Sequence, residues 1–198
     1  MSEPARPADL TRDDFAAIGE VIVHAAALEN MLVVLASVLL WHKGGEDGQA
    51  PTVVRDEIRD RLLGESGGAA LGVCRRLQDV LVSVASADFL HGLWDDCAGL
   101  IERRNAVAHS FWMRAPDGRI EATRALPKRK RANLAEYQTV GGTLDEMGGL
   151  RDQFADAISD IKQLLDQRWP GNWPEVAAFS LREPSPGSAK RLHKRSSG

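Results

Sequence analysis

The sequence predicts an all-α fold: a helical bundle of about five helices with a small β-hairpin inserted between the fourth and fifth. Three observations predict it. Apolar residues recur at three- and four-residue spacing over long segments. Helix-start chemistry stands in front of those segments. The period changes only at "WMRAPDGRIEATR", where a "PDG" turn separates two short stretches that read as a hairpin.

The 198 residues suit one domain, expected at residues 11 to 180, between a disordered N-terminus (1 to 10) and a flexible basic tail (181 to 198). Thr11 with Asp13 and Asp14 starts the first helix, a hydroxyl cap followed by carboxylates in the first turn. The helix runs to about residue 43, with Phe15, Ile18, Ile22, Ala25, Leu32, Val33, Ala36, Leu39 and Leu40 as its apolar stripe. "KGGEDGQ" ends it, and Pro51 suits the first turn of a short second helix, "PTVVRDEIRDRLL". After the "GESGG" break a third helix is expected over about 69 to 84, carrying Leu71, Cys74, Leu77, Val80, Leu81 and Val84. Ser86 caps a fourth, expected over about 87 to 111. "LPKRKRANLAEYQTVGG" reads as a loop or partial helix. Thr143 with Glu146 is a capping box that opens the last long helix, with Leu144, Met147, Leu150, Phe154, Ile158, Ile161 and Leu165 on one face. "RWPGNWP" stops it.

Composition narrows the class. A 43% hydrophobic and 27% charged chain reads as soluble and globular. Cys74 and Cys97 lack metal-ligand spacing and read as buried free thiols in a reducing cytosol. The polar, proline-rich start has no apolar signal core. "MLVVLASVLLW" is shorter than the roughly 20 residues of a membrane span, so a buried helix, no membrane and a cytoplasmic location are expected. A net charge of −3 hides an asymmetry. The stretch 114 to 131 holds seven basic and two acidic residues, and the segment from Arg182 onward five basic and one acidic. An acidic body with two basic patches suits either a polyanion partner or plain solubility. No Gly-rich phosphate loop, His-Glu-x-x-His or Gly-x-Ser-x-Gly is present, so nucleotide hydrolysis, zinc proteolysis and serine hydrolysis have no support.

"RRNAVAH", residues 103 to 109, places two arginines, an asparagine and a histidine in a helix of small and apolar residues. At about 100° per residue, Ala98, Glu102, Asn105, His109 and Trp112 share one face, which is the candidate dimer face. Leu93, Cys97, Leu100, Arg104, Val107, Ala108 and Phe111 form a second stripe. Arg104 and His109 are about 140° apart round the helix, and the long arginine side chain can bend toward the polar face. "RNAVAH" resembles the motif of the HEPN superfamily, an arginine followed by four to six residues and a histidine, with a polar residue directly after the arginine. The long first helix, the motif near the end of a later helix and the "PDG" hairpin extend the likeness over residues 11 to 168.

The resemblance implies a metal-independent endoribonuclease that needs no cofactor and works as a homodimer, two motif copies lining a cleft between subunits. A toxin or phage-defence effector is the expected setting, with a cognate antitoxin as a further partner. Arg104 takes the place of the motif arginine, Asn105 of the polar residue and His109 of the motif histidine. Arg103 also satisfies the loose spacing. The chemistry is self-consistent. The 2′-hydroxyl of RNA can attack the neighbouring phosphate if a base takes its proton, a cation steadies the charged transition state and an acid protonates the leaving 5′-oxygen. Histidine serves as base or acid, and arginine grips phosphate oxygens with a two-pronged fork.

Each residue also has a plain reading. His109 can cap neighbouring carbonyls, and Arg104 can pair with Glu29, an acid on the apolar stripe of the first helix. Glu102 can be a solvated helix residue. Lys128, Arg129, Lys130 and Arg131 in "PKRKR" can contact RNA phosphates or simply be solvated. Trp112, Trp169 and Trp173 are expected to pack rather than to stack bases. His24, His42, His91 and His193 have no partner spacing. Two alternatives stand beside the nuclease: a non-catalytic HEPN-like module that binds RNA or a partner protein, and a structural helical dimer.

Overall fold

The computed structural model of the chain describes residues 10–62, 67–115, 117, 119–125 and 137–181. The expected disordered N-terminus, apart from Leu10, and the basic tail beyond Leu181 lie outside the described residues, as does "PKRKR" with Lys128, Arg129, Lys130 and Arg131. Among the described residues, six α-helices and a three-stranded antiparallel sheet make an all-α fold with a small β insertion. In chain order these are α1 (Arg12–Glu46), α2 (Pro51–Leu62), α3 (Gly67–Arg76), α4 (Ala87–Ala108), β1 (Phe111–Arg114), β2 (Ile120–Ala125), β3 (Tyr137–Gly142), α5 (Leu144–Arg168) and α6 (Trp173–Leu181).

The two long helices begin as their sequences predict. The Thr11 hydroxyl accepts from the Asp14 amide and the Asp14 carboxylate accepts from the Thr11 amide, and Thr143 and Glu146 repeat the arrangement for α5. The α4 start is a single cap, the Ser86 hydroxyl accepting from the Phe89 amide at 3.2 Å. α5 lies along α1 and runs parallel to it: Arg151 reaches Glu20 near one end and Arg168 reaches His42 near the other. The later half of α1 is enclosed by the other helices, and Leu35 to Leu40 are all buried. By length and composition α1 also passes for a membrane span, with 44% of its most apolar window buried inside the fold.

Several elements depart from the expectation for physical reasons. The third helix stops at Arg76 and gives way to a 3-10 turn at Gln78–Leu81. Val80, Val82 and Val84 crowd the helical backbone there. Gln78 accepts from the Trp94 indole at 3.0 Å, and Arg75 donates to the Trp94 carbonyl at 3.1 Å and Asp95 at 2.7 Å; together they turn the chain toward α4. α4 ends at Ala108, so Phe111 belongs to β1 rather than to the helix. β3, which the sequence reads as loop or partial helix, pairs with β2 from Ile120 opposite Gly142 to Ala125 opposite Tyr137. α6 is an additional helix. Gly171 turns the chain at φ 77°, a left-handed conformation suited to glycine, and Pro174 falls in the first turn of α6, where its missing N–H costs nothing.

On α1 the buried face is Ile18, Val21, Ala25, Leu28, Leu32 and Leu35. Phe15 and Ile22, expected in the stripe, are 60% and 39% exposed on the outer side. On α5, Leu144 is also exposed while Ala157 and Leu164 are buried. Cys74 and Cys97 are free and buried, and burial pushes the Cys97 thiol up to about 12, with the neighbouring carboxylates of Asp96 and Asp160 adding to it.

Candidate functional site

The motif sits at the C-terminal end of α4. Its first link is to α1: Arg104 Nη2 donates to Glu29 Oε2 at 3.2 Å, the pairing that the plain reading of Arg104 names. Glu29 is in turn pressed by the start of α3. A Cβ on Gly67 would meet Glu29 Cγ at 2.6 Å, so only a residue without a side chain fits there. The second link is internal: Arg104 Nη1 donates to Asn105 Oδ1 at 2.9 Å. The guanidinium is thus held from two sides, by a charge and by an amide, while its side chain keeps 30% of its exposure and Glu29 keeps 20%.

His109 does not lie within the helix as expected; it is the C-cap, at φ −112° and ψ 20°. Its backbone amide donates to the Asn105 carbonyl at 3.2 Å. Asn105 therefore orients Arg104 with its side chain and closes the helix under His109 with its backbone. The His109 imidazole is exposed and makes no hydrogen bond to any described residue. The capping role that a helical histidine often takes belongs here to its backbone, leaving the ring nitrogens open.

The other candidates separate by helix face. Glu102 is exposed on the outer side, one turn before Asn105. Arg103 points to the opposite flank, where Nη1 donates to Gln153 Oε1 of α5 at 2.7 Å. That bond commits Arg103 to the α5 side, whereas Arg104 is bonded to Asn105 and Glu29. Trp112 Nε1 donates to the Val107 carbonyl at 3.0 Å, Trp169 packs edge-on against His42, and Trp173 donates to Asp166 at 2.8 Å; all three are anchored as packing residues. Glu102 and His109 are exposed on the 98/102/105/109/112 stripe, and Ala98, Asn105 and Trp112 are half-buried. That face is polar and shallow rather than apolar.

The Arg103 flank carries a groove of about 440 Å³ between α4 and α5, lined in part by Asp95, Asp96, Asp156, Asp160, Arg103 and Gln153. Burial, with Asp156 and Asp96 nearby, pushes the Asp160 carboxyl above its usual range. These acids do not gather as a metal-ligand set among the described residues.

Sequence reasoning missed three features. Asp14, read as a first-turn carboxylate, is wholly buried and gripped by Arg114 of β1. Gly67 at the start of α3 fixes Glu29. His42 has partners after all, Glu46 at 3.2 Å and Arg168 at 3.3 Å. Only the i,i+4 spacing of His42 and Glu46 carried a local signal. The chain matches no family model, no curated protein and no solved structure.

Proposed function

We propose that the chain is a HEPN-like, metal-independent endoribonuclease acting as a homodimer, in the role of a toxin or phage-defence effector. The observation that carries the reading is the arrangement at the end of α4: a guanidinium held by Glu29 and Asn105 but still accessible and, one turn on from Asn105, an exposed imidazole with no protein partner among the described residues. In this reading Arg104 neutralises the phosphate as the 2′-oxygen attacks. His109 takes the 2′-hydroxyl proton, and a second acid, most simply His109 of the partner subunit, returns a proton to the departing 5′-oxygen. The products are a 2′,3′-cyclic phosphate and a 5′-hydroxyl. Each transferred proton contributes roughly 10²–10⁴-fold. The acidic groove on the Arg103 flank repels a phosphodiester strand, so the RNA path runs over the Asn105–His109 side.

One observation favours a second reading, a non-catalytic module that binds RNA or a partner protein. Glu29 already offsets the Arg104 charge, and a phosphate has to share that guanidinium with it. Incubation of the purified chain with RNA in excess chelator separates the two. Cleavage to 2′,3′-cyclic ends that falls at least about 100-fold in His109→Ala, with helicity unchanged, supports the nuclease. Salt-sensitive RNA binding without cleavage supports the module. Cleavage unaltered in His109→Ala would overturn the catalytic assignment.

A further inference from the structure

Two halves of α1 share one chemistry and meet different fates. From Leu35 to Leu40 the helix is apolar except for Ser37, whose hydroxyl donates back to the Val33 carbonyl, and it is enclosed by its own fold. From Phe15 to Ala27 it carries Glu20 and His24 on one side and is otherwise apolar, yet its outer apolar face is bare. Phe15 is 60% exposed, Ile22 39% and Val23 65%; Ala16, Ala26 and Ala27 are exposed beside them. At about 100° per residue, Phe15, Gly19, Ile22 and Ala26 fall within an arc of roughly 60°, flanked by Ala16, Val23 and Ala27. That arc is separate from the side that carries Glu20 and His24, and an apolar arc on an amphipathic helix is the part that packs against a partner.

We infer that this face is where two copies of the chain meet, α1 against α1 in antiparallel orientation. The proposal deepens the reading above and rests on it only for there being two copies. The stripe is complementary to itself. In a two-fold antiparallel pair centred between Gly19 and Ile22, Phe15 covers Ala26 of the partner subunit and Ile22 covers Gly19 of the partner subunit, a large side chain over a small one at each level. Arg12, for which no described residue is a partner, then reaches Asn30 of the partner subunit at either end, giving an apolar centre with a polar rim. The pairing removes on the order of 500 Å² per copy from water, about 1,000 Å² in all, which meets the lower bound for a specific interface. A membrane surface fits less well, because the charges beside the stripe, Arg12, Asp13 and Glu20, are not the lysine and arginine rim that such a surface selects.

The pairing bears on the site. Between Arg104 at Glu29 and Arg114 at Asp14 the chain runs back along α1, past the stripe. His109 stands between these two anchors in the chain.

Gly19 supplies the test. A Cβ there meets nothing within 4 Å, so Gly19→Leu leaves the subunit intact and improves its helix propensity while blocking close approach. Sedimentation is run from about 1 to 300 µM, with Ala26→Glu as a second variant. The expected result is twice the 21.6 kDa chain mass for the wild type at the upper end, and the single chain mass for both variants with unchanged helicity. A wild type that stays monomeric throughout, or variants that dimerise as it does, overturns the interface. Mass and cleavage are read separately: a monomer that cuts RNA refutes this interface and the two-subunit form of the mechanism but not cleavage at Arg104 and His109, and a dimer that does not cut refutes the catalytic reading alone.

Discussion

Two of the arginine–carboxylate pairs that tie α1 to later segments, Arg114–Asp14 and Arg104–Glu29, differ in almost every respect. Asp14 is wholly buried; Arg114 Nε donates to it at 3.0 Å and Nη2 to both carboxylate oxygens at 2.6 Å, while the Thr11 amide donates to the same carboxylate at 2.8 Å. Glu29 meets Arg104 through one bond of 3.2 Å, and both side chains remain partly open. The first pair is saturated, its remaining capacity used to cap α1 and anchor the sheet. The second keeps donors in hand. The saturated pair has no capacity left for a ligand, and the unsaturated pair is the one with capacity for the proposed chemistry.

The largest expected effect is at the saturated pair. Arg114→Ala leaves the Asp14 carboxylate without its cation and unpins β1 from the start of α1. A loss of about 3 kcal/mol is expected, a fall in Tm of roughly 10 °C. Denaturant and thermal unfolding of the variant measure it. A loss below about 1 kcal/mol would erase the distinction between the two pairs.

The same pair sets an acid limb. Burial opposes charge on Asp14, but the hydrogen bonds from Arg114 and Thr11, with the Arg114 charge, prevail and hold its carboxyl below the usual range. The native state then keeps Asp14 ionised where the unfolded chain has protonated it. Its contribution is fully present above about pH 4 and is lost as pH falls through the lowered native value. Asp14→Asn is expected to be less stable near neutral pH and to show a shallower loss of stability below pH 4 than the wild type. Unfolding free energies at closely spaced pH values report it, and an unchanged acid slope would remove Asp14 as its source.

How far the sequence reaches differs between these regions. Thr11 and Thr143 announce their helices because caps are local chemistry, legible within four residues. The break at Arg76 and strand β3 were not legible, since each depends on a distant neighbour: Trp94 in one case, β2 in the other. Phe15 and Ile22 look like core residues because spacing reports which residues share a face and not which face meets the bundle. In the site, Glu29 facing Arg104 could be read ahead, because an acid on an apolar stripe must find a cation. Gly67 against Glu29 could not, since nothing in a glycine says what it makes room for. His109 was placed inside the helix, and only the switch to strand geometry at Phe111 makes it the cap.

The smallest expected change in stability is at the open pair, and it is the most informative. Arg104→Ala removes a single bond to Glu29 and one to Asn105, both near solvent, so it is expected to cost less than about 1 kcal/mol. Arg104→Lys retains the charge but not the fork, and one ammonium cannot hold Glu29, Asn105 and a phosphate in the same plane. The two variants are therefore expected to unfold within about 1 kcal/mol of the wild type and of each other, while RNA cleavage is lost in the first and not restored in the second. Unfolding curves and cleavage assays on the same preparations test both halves. If Arg104→Ala instead costs as much as Arg114→Ala, Arg104 is a second structural staple. Should lysine restore cleavage, the site needs only a positive charge, and the grip by Glu29 and Asn105 has no part in aiming it.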